Sequence, residues 1–143
     1  MWETHPDKRL VVWHQLRHEC KTLPLEETLQ KTAFFWSKAP LALHYLHWDT
    51  IESWPNPWEL ISDDIYCDLA LCLGISYTLL MLDHPEINDL CIADAGEGHY
   101  VVLVNNKKYI LNWSHGTVLN TSSIQNFNIT RSMDSAMFTH KIQ

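Results

Sequence analysis

Residues 63–82 read DDIYCDLALCLGISYTLLML, and residues 99–104 read HYVVLV. Apolar residues cover most of the circumference of the first segment when it is drawn as a helix, which is typical of a helix buried on all sides. Asp63 and Asp64 are its predicted N-caps. The second segment is rich in β-branched and aromatic residues, which predicts a strand beginning at His99. The two segments predict a buried helix that is followed by a sheet.

The chain before residue 63 has the pattern of further helices. Apolar residues recur at helical spacing over residues 7–21 and again over residues 25–40, behind a proline that suits a helix start. Residues 41–54 show no firm period and predict an irregular connection. The sequence NPWE at residues 56–59 has a capping Asn, a first-turn Pro and a Glu at the third position, which predicts a short helix through Ile61.

The chain after Pro85 changes to the pattern of strands. The predicted strands are residues 90–93, 99–104, 109–113, 127–133 and 137–142, with a loop at residues 114–126. Helices followed by antiparallel strands predict an α+β fold, with N-terminal helices packed on a C-terminal antiparallel sheet. A length of 143 residues predicts one domain. We divide that domain, residues 1–143, into a helical part (1–53), the cysteine-bearing helices (54–82) and the sheet (88–143).

The composition limits the partners and the compartment. Seventeen acidic against ten basic residues give a formal net charge of -7, which argues against nucleic acid and anionic membranes as partners. The N-terminus lacks the pattern of a secretory signal, and the longest apolar run is shorter than the roughly 20 residues of a membrane span. We therefore expect a cytoplasmic protein whose four cysteines are reduced.

A cysteine at the start of the buried helix has the chemistry of a nucleophile. Cys67 falls in the predicted first turn, and a helix N-terminus together with a protonated histidine lowers the pKa of a thiol. Asp63, Asp64 and Asp68 place negative charge around the same turn. Activation of Cys67 therefore has to come mainly from a histidine.

His99 and Asn112 are the predicted partners of Cys67, because a hairpin can bring them together. A two-residue loop at residues 105–106 would pair His99 directly with Asn112, and the amide oxygen could then hold the imidazole in one orientation. A four-residue loop would make His99 and Asn112 diagonal neighbours, and a three-residue loop would place their side chains on opposite faces of the sheet. The three residues have the order and context of a nucleophile, a base and an orienter.

Four stretches carry a resemblance to a known family. WPNPWEL at residues 54–60, followed by YCDLAL at residues 66–71, resembles the Trp, Thr-Pro-x-Glu and Gly-Asp-Cys-Glu-Asp-Tyr-Ala pattern of the bacterial transglutaminase-like cysteine proteinases. GEGHYVVLV at residues 96–104 looks like the Gly-x-His strand of that family, and YILNW at residues 109–113 like its Leu-Asp-Asn end. The resemblance spans roughly residues 25–141.

The resemblance implies a transglutaminase-like or papain-like core and acyl transfer on a peptide or side-chain amide. Cys67 would be the nucleophile, His99 the general base and Asn112 the orienter, where the family usually has Asp. The substrate would be a protein or peptide, and the reaction needs no cofactor. Ile65 and Tyr66 replace the Gly-Asp of the family, and Leu69 replaces an acidic residue. The alternative is a catalytically silent module that serves as a structural or interaction component of an assembly.

Aromatic residues and histidines suggest further sites. Trp54, Trp58 and Tyr66 are the predicted substrate-binding residues, since all three precede the proposed nucleophile closely. The Cys67 amide and Trp54 are the candidate oxyanion donors. A metal site could be built from His14 and His18, or from His44 and His47, but neither pair has the spacing of HExxH, so we predict no metal.

Overall fold

The computed structural model describes residue 2 and residues 4–42, 45–125 and 127–142, and within them the chain forms an α+β fold, as predicted. The helices are α1 (Pro6–Cys20), α2 (Leu25–Ser37), α3 (Pro57–Ile61) and α4 (Asp68–Leu82). The strands are β1 (Leu90–Gly96), β2 (His99–Val104), β3 (Tyr109–Leu111), β4 (Val118–Asn120) and β5 (Arg131–Asp134). None of the helices in these residues is long and apolar enough to cross a membrane.

The five strands form one antiparallel sheet in the order β4-β3-β2-β1-β5. The alternation of β2 divides its side chains between two faces. Tyr100, Val102 and Val104 join the main core, which contains most of α4. Val101 and Leu103 join a smaller apolar cluster on the other face. The sheet therefore separates two cores, and α4 lies in the larger one.

The three longest helices meet at a buried hydroxyl. The indole nitrogens of Trp13 in α1 and Trp36 in α2 each donate to Thr78 Oγ1 of α4, both at 2.9 Å. The ring of Trp36 lies where a side chain at Gly74 would project, with ring atoms 2.6 Å from the position of a Cβ. The glycine thus allows α2 to approach α4 closely.

The N-cap of α4 is Cys67, whereas the sequence predicted Asp63 or Asp64. The chain stays extended up to that point because Tyr66 pairs with Leu41 in a parallel bridge. Within the bridge, Tyr66 N donates to Pro40 O and Ala42 N donates to Tyr66 O, both at 2.8 Å. The backbone N–H and C=O of Tyr66 are therefore bonded to residues 40 and 42, and they cannot form the bonds of a helix that begins at Asp63 or Asp64.

The loop between β2 and β3 has four residues, so the four-residue alternative forms in place of the two-residue hairpin. Val104 pairs with Tyr109, and the loop residues Asn105, Asn106 and Lys107 all have positive φ. Asn tolerates this conformation better than most residues. Hydrogen bonds to the segment before β1 hold the longer loop: among them, Asn105 Oδ1 accepts from Asn88 N, and Asn106 N donates to Asp89. His99 and Asn112 are therefore not opposed in the ladder.

The C-terminal part of the prediction needs two corrections. β4 is a short edge strand inside the predicted loop 114–126, of which residue 126 lies outside the described part. The predicted strand 137–142 is instead helical, in two 3₁₀ helices, Ser135–Met137 and Thr139–Ile142. Between them Phe138 is fully buried, in contact with the rings of Trp54 and Tyr77. This segment therefore buries one ring between two short helical turns, and its side chains do not alternate between buried and exposed as those of a strand would.

Candidate functional site

Cys67 lies at the N-terminus of a 15-residue helix. The first intrahelical bond of α4 runs from Leu71 N to Cys67 O at 3.0 Å, and within the described part of the chain the thiol makes no capping bond. This position places the thiol at the positive end of the helix dipole. Cys67 is only 1% exposed, so the sulfur lies beneath other groups.

Two tyrosines lie near Cys67. Burial, and then the charges of Asp63 and Cys67, raise the pKa of Tyr45. Burial also raises the pKa of Tyr100, with Asp94 and Cys67 among the smaller causes. The Tyr45 hydroxyl lies 3.2 Å from both Asp63 Oδ2 and Ile65 O.

The connection between α2 and α3 runs beside this end of α4. Trp48 stacks on Tyr100, with ring centroids 5.9 Å apart and an angle of 13° between the planes. Tyr45 binds the carbonyl of Ile65, two residues before Cys67.

His99 begins β2, and its ring contacts one carbonyl oxygen closely. Nε2 lies 2.8 Å from Asn112 O, and the ring packs on Trp113 with centroids 5.6 Å apart. A carbonyl oxygen can only accept a hydrogen bond, so Nε2 carries the hydrogen. In the neutral ring Nδ1 then keeps the lone pair and is the basic nitrogen.

The side chain of Asn112 points away from His99, which differs from the predicted carboxamide contact. Asn112 is 2% exposed and leaves β3 with φ at 70°. Its Nδ2 lies 3.0 Å from Asp68 Oδ1, 2.9 Å from Tyr100 O and 3.5 Å from Cys72 Sγ. The positive φ of Asn112 interrupts the alternation of side chains between the two faces of the sheet. The peptide carbonyl therefore contacts the imidazole of His99, and the side-chain amide points into the main core.

Asp68 joins these elements, although the sequence suggested only a repulsive charge. Its Oδ2 accepts from Tyr100 N at 2.6 Å, and its Oδ1 accepts from Asn112 Nδ2 and lies 3.0 Å from His115 Nε2. The sequence prediction missed His115, because residues 114–126 have no period that would place one side chain. The only available signal was an acid in the first turn of a buried helix, where its charge requires partners.

The same contact brings Cys67 and His99 to one end of the sheet. Asp68 follows Cys67 and Tyr100 follows His99, so the bond between Asp68 and Tyr100 joins the two neighbourhoods. Between these described residues, however, no hydrogen bond links Cys67 Sγ to the His99 ring. Burial raises the pKa of Cys72 well above its usual range, which keeps this second sulfur a thiol.

Two of the three predicted substrate residues are in the core. Trp54 is 3% exposed and donates its indole N–H to His47 O at 2.9 Å, so this N–H is not free to serve as the predicted oxyanion donor. Tyr66 is 0% exposed, and its hydroxyl donates to Leu60 O at 2.7 Å. These aromatic rings pack in the core with their polar ends satisfied, which corrects the expectation. Trp58 is 43% exposed and can contact a ligand.

One of the two histidine pairs considered as metal sites, His14 and His18, lies wholly within the described residues. Among the described residues, no group of three or more His, Cys, Asp or Glu side chains is arranged to hold a metal ion. His14 and His18 are both exposed on α1. His44, the first member of the other pair, lies outside the described residues.

Comparisons with known proteins show a likeness in fold alone. No protein-family model and no curated protein matches the sequence. The calcium-bound structure of Legionella pneumophila LapG is 19% identical, with a TM-score of 0.73 over 92% of this chain and 77% of that chain. Another LapG structure is 19% identical (TM-score 0.73, 91% and 75% covered), and the EGTA-treated form is 20% identical (0.70, 91% and 74%). The chain shares the transglutaminase-like fold of these structures.

Proposed function

We propose that the chain is a cysteine-dependent acyl-transfer enzyme that acts on a peptide or side-chain amide. Cys67 is the nucleophile, and His99 is the general base. The observation that carries the proposal is the 2.8 Å contact between His99 Nε2 and Asn112 O, which leaves Nδ1 as the basic nitrogen. The helix N-terminus at Cys67 and the fold shared with LapG support it.

The reaction follows from the roles of these groups. His99 Nδ1 takes the thiol proton, and the Cys67 sulfur attacks the amide carbonyl carbon. The carbon–nitrogen bond then breaks, and the imidazolium returns the proton to the leaving amine. Water or a second amine attacks the thioester and regenerates the thiol. The Cys67 amide is the proposed donor to the oxyanion, and Trp58 the proposed substrate contact.

The burial of Cys67 adds a requirement to this mechanism. A reacting carbonyl carbon has to come within about 3.5 Å of the sulfur. Cys67 is 1% exposed, and its sulfur makes no hydrogen bond to His99 in the described structure. The groups that bury the sulfur therefore have to move before a substrate can reach the thiol.

The same burial favours a second candidate function. A thiol that stays covered cannot attack a substrate, and the fold would then serve as a structural or interaction component of an assembly. Under that reading, the bonds of Asp68 and Asn112 stabilise the fold and nothing more. The two candidates differ in whether Cys67 ever reacts.

An activated ester tests the proposal without knowledge of the substrate. We expect p-nitrophenyl acetate to acetylate Cys67, which intact-mass and peptide mass spectrometry detect, with release of p-nitrophenolate. Cys67→Ser should abolish the thioester and His99→Ala should slow it by about 10² or more. His14→Ala, which changes an exposed histidine of α1, is the matched control. No acetylation of Cys67, or an equal rate in His99→Ala, contradicts the proposal.

A further inference from the structure

Asp68 is a partly buried carboxylate with a complete set of donors. Its side chain is 16% exposed, and its two oxygens meet Tyr100 N, Asn112 Nδ2 and His115 Nε2. The three donors come from β2, from the residue after β3 and from the loop before β4. An acid that satisfies this many donors at once fixes the geometry between the elements that carry them.

The surroundings of Asn112 require a hydrogen-bond donor at this position. Its Nδ2 faces a carboxylate oxygen of Asp68, the carbonyl oxygen of Tyr100 and the sulfur of Cys72. A carboxylate at position 112 would have no proton to donate, and it would face the carboxylate of Asp68 and the carbonyl oxygen of Tyr100. Both charges would lie in a site where residue 112 is 2% exposed, so they would repel strongly. Asp68 therefore explains why an amide occupies position 112.

The side chain of Asn112 in turn sets the direction of its own carbonyl. With φ at 70°, the residue adopts a left-handed conformation that Asn tolerates. The bonds to Asp68 and Tyr100 hold the side chain, and the peptide carbonyl on the other side of the same residue accepts from His99 Nε2. A change in the Asp68 contact is thus transmitted to the imidazole through one residue.

We propose that Asp68 is a positioning residue for the Cys67–His99 reaction, which holds Asn112 as a donor and so aims the Asn112 carbonyl at His99. This inference rests on the proposed function. Asp68 does not touch the reacting atoms and acts through Asn112. His115 completes the shell of Asp68 as its third donor and limits the freedom of the carboxylate.

Exchange of donor and acceptor tests the pairing. Asp68→Asn places an amide against a donor, and Asn112→Asp places a carboxylate against an acceptor. The double variant Asp68→Asn/Asn112→Asp reverses the pair, with the amide at position 68 donating to the carboxylate at position 112. Asp83→Asn is the matched control, because it makes the same charge change at the C-cap of the same helix, where φ is 51° and Asn is tolerated.

The readout is the rate at which iodoacetamide labels Cys67, measured by peptide mass spectrometry at about pH 6 and about pH 9, where the thiolate fraction of an unassisted thiol differs widely. The ratio compared between variants is the labelling rate at about pH 6 divided by the labelling rate at about pH 9. We expect Asp68→Asn and Asn112→Asp each to lower this ratio by about tenfold. The double variant should recover part of the ratio lost in Asn112→Asp, because the hydrogen bond between positions 68 and 112 is restored while the carboxylate at position 112 still faces the carbonyl oxygen of Tyr100. Asp83→Asn should keep the wild-type ratio. A purely structural role would change the unfolding midpoint and leave the ratio unaltered.

Asn112→Gly protects the test against loss of folding, since glycine accepts the positive φ and removes only the side chain. We expect a lowered ratio in this variant too. A wild-type ratio in Asn112→Gly and Asp68→Asn, while His99→Ala lowers it, overturns the role of Asp68 and leaves the proposed function standing. A ratio that does not change in His99→Ala overturns both.

Discussion

His99 Nε2 lies 2.8 Å from the carbonyl oxygen of Asn112, although the two residues are not paired in the sheet. The contact arises because Asn112 leaves β3 with a positive φ and turns its carbonyl toward the start of β2. It fixes the tautomer of the neutral ring and leaves the lone pair on Nδ1. The group that contacts the imidazole is therefore a peptide carbonyl, and its own residue has an amide side chain that points the other way.

Arg9 should be important for stability, because it holds the segment that leads to Cys67. The residue is 4% exposed, and its Nη1 donates to Ile61 O at 3.0 Å and to Asp63 O at 2.6 Å. Arg9→Met keeps an apolar stem and leaves these carbonyls unsatisfied, at an expected cost of about 3 kcal/mol. Urea unfolding measures the loss, and Lys8→Met, at an exposed position of the same helix, should change stability little. Equal stability of the two variants contradicts the assignment.

Gly74 and Ser76 should respond in opposite directions to substitution by alanine. A methyl group at Gly74 would lie 2.6 Å from ring atoms of Trp36, which is buried and bonded to Thr78. We expect Gly74→Ala to destabilise the fold by about 2 kcal/mol, despite the better helix propensity of alanine. Ser76 is buried, and its hydroxyl has no hydrogen-bond partner among the described residues, so Ser76→Ala should be neutral or stabilising. Thermal unfolding of both variants checks this, and a stable Gly74→Ala would mean that α2 can shift away from α4.

Tyr66 should make the fold sensitive to alkaline pH. Burial, and then the charge of Asp63, raise the pKa of Tyr66. A raised pKa in the folded state means that the stability contributed by the neutral hydroxyl is complete below the unfolded pKa, near pH 10, and is lost as the pH rises toward the folded value. Tyr66→Phe removes this titration together with the bond to Leu60 O.

Unfolding by urea at about pH 8 and about pH 11 measures the effect of Tyr66. We expect Tyr66→Phe to be less stable than the wild type by about 1 kcal/mol at the lower pH, because one hydrogen bond is lost. Its further loss of stability at the higher pH should be smaller than that of the wild type. The same pH dependence in both proteins would show that Tyr66 does not titrate with unfolding.

The sequence predicted the elements whose pattern is long and local. The all-round apolar run of α4 and the β-branched run of β2 both form where expected, and so does the capping box of α3 between Asn56 and Glu59. Each depends on contacts within a few residues or on one dominant burial preference.

The sequence predictions are wrong where contacts between distant parts of the chain determine the structure. The N-cap of α4 moves to Cys67 because Tyr66 pairs with Leu41, which no local pattern reveals. The loop after β2 is set by bonds from residues 88 and 89 to Asn105 and Asn106. Periodicity also places Asn112 on the wrong face of the sheet, because a single positive φ reverses it.

For the site, the sequence named Cys67, His99 and Asn112 but missed the group that connects them. From the sequence alone, Asp68 is only a negative charge that disfavours a thiolate. In the structure its carboxylate is hydrogen-bonded to a backbone N–H, a carboxamide and an imidazole. The partners of a buried carboxylate come from distant parts of the chain, so its effect on a neighbouring thiol depends on the folded arrangement.

The pH profile of Cys67 alkylation, in the wild type and in His99→Ala, tests the catalytic assignment most directly. Iodoacetamide labels each cysteine at a rate set by its thiolate fraction and its access, and peptide mass spectrometry separates Cys67 from Cys91. We predict that wild-type Cys67 reacts at about pH 6 and that His99→Ala slows this by about tenfold or more, while His14→Ala leaves it unchanged. Labelling of Cys67 that is equally slow in all three proteins at this pH would contradict the account.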